Sequence, residues 1–463
     1  MSLSRRSFIG GAGAAAVAPL FGAGGGEIIR FGVISDIHLD FSPVRTTAYR
    51  KALEGFRAAN VDAVLIPGDI AHTGLVDQLA LARDVWEEVF PGSRRPDGGR
   101  VARLFLPGNH DWNKPKNRAA GSPAFMADDF AGNWSKTLDE PFEPVRKVMV
   151  KGCAFVLVDW YAVGGVEKWF AERKDEFDPS MPLVYAQHPH PKGTCHDADV
   201  AYWCADGGAS TRALAGHPNA IAFSGHSHYP ITDPYSIWQG GFTSLNCGST
   251  WCSSRDYVPL DEKINGPAYA YDRKPELMPR LPVRDTVSPG MVVSVTDREV
   301  RVTRRDYLRG LPLGEDWVFP RNLSDGRPYS PSNRAKGRSA PRFKAGAVLC
   351  AERVTGEFDI VPPGGAVAVC RECVRQVKLV IPAAEPVGGD RVFGYEVKAF
   401  AGGRELFSRF LLDAGYHLPP SLPPAPAAFY IDESELTGLS GVRFEVRALE
   451  RFGARSAALS CVS

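Results

Sequence analysis

Between Ile28 and Phe223 the chain repeats one pattern: a short apolar run of strand length, ended by a polar cluster. Ile28–Ser35, Ala63–Pro67, Val101–Leu106, Pro182–Ala186 and Ala220–Phe223 are such runs. After the first, Tyr49, Ala52, Leu53, Phe56 and Ala59 recur at helical spacing, and a second helical stretch covers Asp77 to Phe90. Val148–Val150 and Cys153–Val158 read as two further strands around Lys151-Gly152. Strands that alternate with helices predict an α/β layered core. Met291–Val295 and Val300–Thr303 read as a hairpin that closes it.

The clusters that end these runs share a chemistry. They are Asp36-Ile37-His38, Gly68-Asp69, Gly108-Asn109-His110-Asp111, Gln187-His188-Pro189-His190 and Gly225-His226-Ser227-His228. In α/β sheets ligands gather beyond the carboxyl ends of the strands, so five such loops converge on one site. Alone, each cluster has an ordinary reading: Asp-x-His as a surface turn, Gly-Asp as a tight turn, a histidine beside proline as a buried ring bonded to backbone. Taken in order, they read as metal ligands. Asp36 and His38 can turn onto one ion where their strand ends. Gly68 permits a turn from which Asp69 can be shared by two ions. Asn109 offers a neutral carbonyl oxygen. His226 and His228 face one side together on extended backbone, whereas in a loop they address different ions. Imidazole, carboxylate and one amide suit Mn, Fe or Zn better than an all-oxygen site for Mg or Ca.

This order of motifs resembles the calcineurin-like metallophosphoesterase superfamily, over residues from about Ile28 to Thr303. The resemblance implies a sandwich of two mixed β-sheets flanked by helices. It implies that Asp36, His38 and His228 hold one divalent metal, that Asn109, His188 and His226 hold the other, and that Asp69 bridges them. His110 would face the substrate and protonate the leaving oxygen. The implied activity is hydrolysis of phosphate mono- or diesters by a hydroxide that two metals activate. Asp111 either orients His110 or caps its loop. Two branches of the superfamily fit less well. Protein serine/threonine phosphatases carry Asp and Arg after the Gly-Asp turn, where this chain reads Ile70-Ala71-His72. Purple acid phosphatases place Tyr three residues after the bridging Asp, at the position of His72. Family members more often read His-x-Pro at the fourth motif, so His190 is the reserve for His188. Two other functions stay open: a nucleotidase or nuclease-type hydrolase, and a metal-binding module without catalysis. The intact His110 favours catalysis.

The 463 residues suggest two or three domains. Lys and Arg number 54 against 53 Asp and Glu, so bulk charge recruits neither nucleic acid nor an acidic membrane. Residues 1–26 read as a signal peptide: Arg5-Arg6 before Ser7-Phe8 and an Ala/Gly-rich run resemble a twin-arginine export signal. The expected partner is the twin-arginine machinery, the expected place is the periplasm or outside the cell, and no permanent anchor is expected. Gly11–Ala16 matches a dinucleotide-binding pattern by letters but lacks the strand that must precede it. Nine irregularly spaced cysteines form no disulfide framework, and Cys370-x-x-Cys373 has no second pair to complete a zinc site. The metallophosphoesterase-like domain is read at 27–310 and a linker rich in Pro, Arg, Ser and Gly at 311–341. Short β-like runs follow at 342–463: Ala366–Val369, Val374–Ile381, Phe393–Phe400 and Val442–Ala448. They predict an all-β sandwich, and Phe444–Ser456 resembles the last strands of a fibronectin type III module.

Overall fold

The computed structural model describes residues 26–117, 121–195, 206–250, 288–360, 370–388, 391–413, 416 and 426–463. The export signal with Arg5 and Arg6, the Gly11–Ala16 run, the Ala366–Val369 strand, Cys204 and Cys252 lie outside the described residues.

The chain opens with β1 (Glu27–Val33), α1 (Pro43–Ala58), β2 (Ala63–Pro67), α2 (Val76–Val89) and β3 (Ala102–Leu106). The three strands pair in parallel, β1 with β2 and β2 with β3. Pro43 starts α1 where a missing N–H costs nothing, and Ala48, Tyr49, Ala52, Leu53 and Phe56 form its buried stripe. α3 (Phe130–Leu138) begins where Asp129 accepts the Gly132 N–H, 3.1 Å. A second sheet then forms from β4 (Val145–Val150), β5 (Cys153–Val158), β6 (Leu183–Gln187), β7 (Ala220–Ser224), β8 (Ile237–Gln239) and β9 (Thr243–Asn246). The short helices α4 (Val166–Glu172) and α5 (Ala209–Leu214) flank it. The hairpin β10 (Pro289–Thr296) and β11 (Glu299–Asp306) returns to the first sheet, where β10 lies antiparallel to β1.

The two mixed sheets pack face to face. Phe31 of β1 meets Phe155 of β5 and Phe223 of β7 edge-on, with ring centroids 5.4 and 5.6 Å apart. Ile29, Val33, Leu65, Leu157, Val184 and Ala186 fill the same layer. The opposite face of the first sheet presents Val64 and Ile66 to α1 and α2. Both faces of the central strands are therefore apolar, and they read as unbroken hydrophobic runs. Each fully buried Phe or Leu contributes about 1.5–3 kcal/mol.

The stretch read as a linker holds more structure than its composition suggests. β12 (Leu311–Pro312) and β13 (Trp317–Pro320) both pair with β11, and the short helix α6 (Pro331–Ala335) follows. Trp317 is buried in the α/β core. Four residues are too few for a readable period, and their partner strand supplies the order. β8, three residues long, and β9, whose apolar pattern buried Ser244 and Asn246 interrupt, also escaped the sequence.

Beyond lie β14 (Arg342–Phe343), β15 (Cys350–Ile360), β16 (Cys370–Ile381), β17 (Ala384–Glu385), β18 (Gly394–Ala401), β19 (Arg404–Leu412), β20 (Ala427–Asp432), β21 (Arg443–Leu449) and β22 (Leu459–Val462). One sheet runs β15-β16-β20, another β19-β18-β21-β22, and β14 pairs β17. Val377, Leu379, Phe429 and Ile431 from the first meet Tyr395, Val397, Phe444 and Val446 from the second in one core. This is the all-β sandwich that the spacing of short β-like runs predicted. Among the described residues no helix is long and apolar enough to cross a membrane.

Candidate metal centre

The five strand-end clusters meet at one end of the α/β sandwich. Hydrogen bonds tie their loops together in pairs: Asp36 N–H to the Gly68 carbonyl (3.2 Å), His38 N–H to the Asp69 carbonyl (3.0 Å), and Gly225 N–H to the His188 carbonyl (3.0 Å). These ties hold an unusual backbone. Asp36, His38, Asp69, His226 and His228 all adopt left-handed φ, between 45° and 68°. Such conformations cost about 1–3 kcal/mol each and persist only where their surroundings over-determine them. Two glycines make the close approach possible. A Cβ on Gly68, itself at φ 98°, would lie 2.1 Å from the His188 ring. A Cβ on Gly225 would lie 2.1 Å from Asp36 Oδ2.

The side chains form two overlapping clusters. Asp36, His38, Asp69 and His228 bring ligand atoms within 4.8 Å of one another, and so do Asp69, His188 and His226. Asp69 belongs to both. In the first, His38 Nε2 lies 3.5 Å from Asp69 Oδ2 and 3.1 Å from His228 Nε2, while His228 Nε2 is 3.1 Å from Asp36 Oδ1. In the second, His188 Nε2 lies 3.2 Å from Asp69 Oδ2. His226 and His228 therefore serve different clusters, the outcome expected of a loop.

His188 Nδ1 donates to the Pro67 carbonyl, 2.8 Å, so in the neutral ring Nε2 carries the lone pair. That buried lone pair faces the Asp69 carboxylate and has no hydrogen-bond partner, and neither has the buried Asn109 Oδ1. Two acceptors face to face repel unless a proton or a cation lies between them. Burial disfavours a charged His188, but Asp69 and Asp36 outweigh it and push its pKa up to about 9. A metal ion competes for the same lone pair. Burial also holds His38 and His226 well below the usual histidine range, which keeps both rings neutral. Burial opposes the Asp69 charge too, yet His188, His38 and His110 hold this carboxyl well below its ordinary range. Neutral imidazoles at His38 and His226, an ionised Asp69 and orphaned acceptors fit divalent cations.

Residues 29–230 match the family model for calcineurin-like phosphoesterases. This stretch is a calcineurin-like phosphoesterase domain. The chain accordingly falls in the class of phosphoric ester hydrolases. No curated protein matches the sequence significantly. Among solved structures, a dimetal phosphatase from Danio rerio is similar at 12% identity and a TM-score of 0.39, over 64% of this chain and 100% of that chain. A purple acid phosphatase from yellow lupin is similar at 13% identity and a TM-score of 0.41, over 64% of this chain and 54% of that one. At such scores the likenesses carry no weight on function.

Around these two clusters, other predicted residues take distinct places. His110 is half-buried; its N–H donates to Asp69 Oδ1 (2.9 Å) and its ring Nδ1 to the His72 carbonyl (2.6 Å). The His72 carbonyl, and not Asp111, thus orients the ring. Asp111 fastens the loops instead: its carboxylate accepts the N–H groups of Ala71 (2.7 Å), Gly108 (2.8 Å) and Ile70 (3.2 Å). Burial and the nearby Asp69 charge push its pKa up to about 7. His190, the reserve ligand, engages Ser224 Oγ through Nδ1 (2.6 Å) and Ser227 Oγ through Nε2 (3.0 Å), so it braces the turn.

Sequence reasoning missed two residues. His72 sets its Nδ1 3.3 Å from His38 Nδ1 and forms a cluster with His38 and His110. Trp160 places its ring 5.0 Å from His226 and 5.8 Å from His188. Trp160 follows the end of β5, so a sixth polar-aromatic loop at Asp159-Trp160-Tyr161 was the available signal.

Proposed function

We propose that the chain is an exported phosphoesterase that hydrolyses phosphate mono- or diesters with two divalent metal ions. The observation that supports this most is the pair of clusters sharing Asp69, with the orphaned Nε2 of His188 in one of them and an orphaned Oδ1 on Asn109, whose neighbour His110 binds Asp69 through its N–H. Asp36, His38, Asp69 and His228 would hold one ion, and Asp69, Asn109, His188 and His226 the other. Mn, Fe and Zn suit this donor set. When bound, the ions supply Lewis acidity and neutralise charge on the phosphoryl group.

The chain's own groups do the rest. Asp69 keeps a negative charge between the two ligand sets and, through the His110 N–H, fixes the loop that carries the acid. The His72 carbonyl retains the Nδ1 proton of His110 throughout, so the proton that reaches the leaving oxygen is the one on Nε2. Asp111 ties three loop amides together and keeps Asn109 and His110 in register with Asp69. Trp160 walls the His188 and His226 side against water.

The test is reconstitution. Chelated protein, given Mn, Fe or Zn in turn, should regain turnover of both bis-nitrophenyl phosphate and nitrophenyl phosphate, in a ratio that sets diester against monoester preference. Full metal binding without turnover of any ester, nucleotides and oligonucleotides included, would reduce the chain to a metal-binding module. Export is tested separately. Arg5→Lys with Arg6→Lys should leave active, metal-loaded enzyme inside the cell; normal export of that variant, read by fractionation, would exclude the twin-arginine route.

A further inference from the structure

The backbone that carries His226 and His228 runs directly into the contact with the C-terminal sandwich. Tyr229 and Asp233 are both buried, Asp233 at 1% exposure. Asp233 Oδ2 accepts the hydroxyls of Tyr229 (3.2 Å) and Tyr416 (2.8 Å), and Oδ1 accepts the Tyr235 N–H (2.6 Å). Arg451 Nε lies 3.3 Å from both oxygens. Tyr416 and Arg451 belong to the C-terminal region, Arg451 in the turn after β21. The Arg451 guanidinium also covers the rings of Tyr235 (4.1 Å) and Phe393 (4.4 Å), and Phe452 stacks on Tyr235 at 4.8 Å. A carboxylate this deep holds its place through donors and a cation, and two of those groups come from the sandwich.

We propose that Asp233 is a positioning residue through which the docked C-terminal sandwich sets the His226–His228 loop. Both histidines have left-handed φ, so the loop must be held from each side. On the upstream side, Gly225 N–H binds the His188 carbonyl and His226 N–H binds Asp36 Oδ1 at 3.1 Å. On the downstream side stands Tyr229, whose carbonyl accepts from Asn246 Nδ2 (2.8 Å) and whose hydroxyl reaches Asp233. Without Tyr416 and Arg451, Asp233 becomes a buried charge without its cation, and the Pro230–Ser236 turn must rearrange to hydrate it. Tyr229 adjoins His228, so the strain reaches the ligand loop with no intervening residue.

The metal readout below rests on the proposed function; the backbone readout does not. The test uses the full chain with Tyr416→Phe plus Arg451→Met, and with Tyr416→Phe alone as the gentler variant. Arg409→Ala, which breaks the half-buried Arg409–Glu435 pair within the sandwich, is the control. Amide hydrogen exchange across 224–236 is measured on metal-free protein, and release of Zn to a chelator on loaded protein. Losing charged hydrogen bonds of this kind predicts exchange and release at least about tenfold faster in the double variant. A smaller rise is expected in Tyr416→Phe, none in the control, and partial rescue when Met is replaced by Lys at 451. Exchange across 224–230 that stays within about twofold of the parent in the double variant would overturn the proposal. Faster exchange with unchanged Zn release would keep the positioning role and instead count against the metal assignment of this loop.

Discussion

The strand-end loops and the C-terminal sandwich solve opposite problems with the same chain. In the sandwich, β21 alternates buried and half-exposed residues from Arg443 to Leu449, and every strand in register adds apolar contact. In the strand-end loops, buried positions are given to Asp36, His38, Asp69 and His188, and at the first three the backbone bends into left-handed φ to aim them. The sandwich gains stability with each buried side chain. The loops give stability up and recover it only through their cross-ties and, in the proposed function, through bound cations. Function is concentrated where local preferences are violated, and scaffold where they are obeyed.

Substitutions can break this contrast, and the largest effect belongs to Asp69. Asp69→Asn removes the charge shared by both clusters, so both ions should be lost and turnover should fall to background. Asn109→Ala, which in the proposed assignment serves one ion only, should keep the other ion. Metal analysis of the purified variants decides it, and two ions retained in Asp69→Asn would refute the shared role. Next comes His110→Ala, expected to keep its metals and lose roughly 10²–10⁴-fold in turnover. The loss should shrink for nitrophenol leaving groups, which need no proton; an equal loss for all esters would remove His110 as the acid.

Gly225→Ala sharpens the geometric side. Its methyl would press on Asp36 Oδ2 and Ser35 Oγ, each 2.1 Å away, and should displace Asp36 by a fraction of an ångström. Misplacement on that scale costs up to about 10²-fold in turnover, to be read in kinetics of the metal-saturated variant. The smallest effect on catalysis is expected from the sandwich core. Ile431→Ala, at a fully buried position, should lower stability by about 2–5 kcal/mol in denaturant titration. Turnover measured well below its melting temperature should stay within about twofold of the parent. A loss as large as that of Gly225→Ala would show that the two regions are not separable in this way.

Much of the fold was legible because burial imposes a period. Strands β1, β2, β3, β5, β6 and β7 stand out as apolar runs since both their faces are covered. The alternation in β18 and β21 marks a sheet covered on one face. Trp317–Pro320 and Thr243–Asn246 were not legible: their order comes from partner strands, and their own residues carry too short or too polar a pattern.

The sequence by itself determined which polar side chains stand at the strand ends, because chain connectivity puts every residue after a parallel strand at the same edge of its sheet. Only the tertiary structure decided how those residues divide. Asp36 receives the His226 N–H from 190 positions away, and His228 turns to His38 while His226 turns to His188 and Trp160. The same holds for His72 beside His38, for Asp111 as the fastener of three amides, and for Asp233 between Tyr229 and the distant Tyr416 and Arg451. A local pattern specifies which face of an element is buried. It does not specify which distant group meets that face, because that choice is made when whole layers pack.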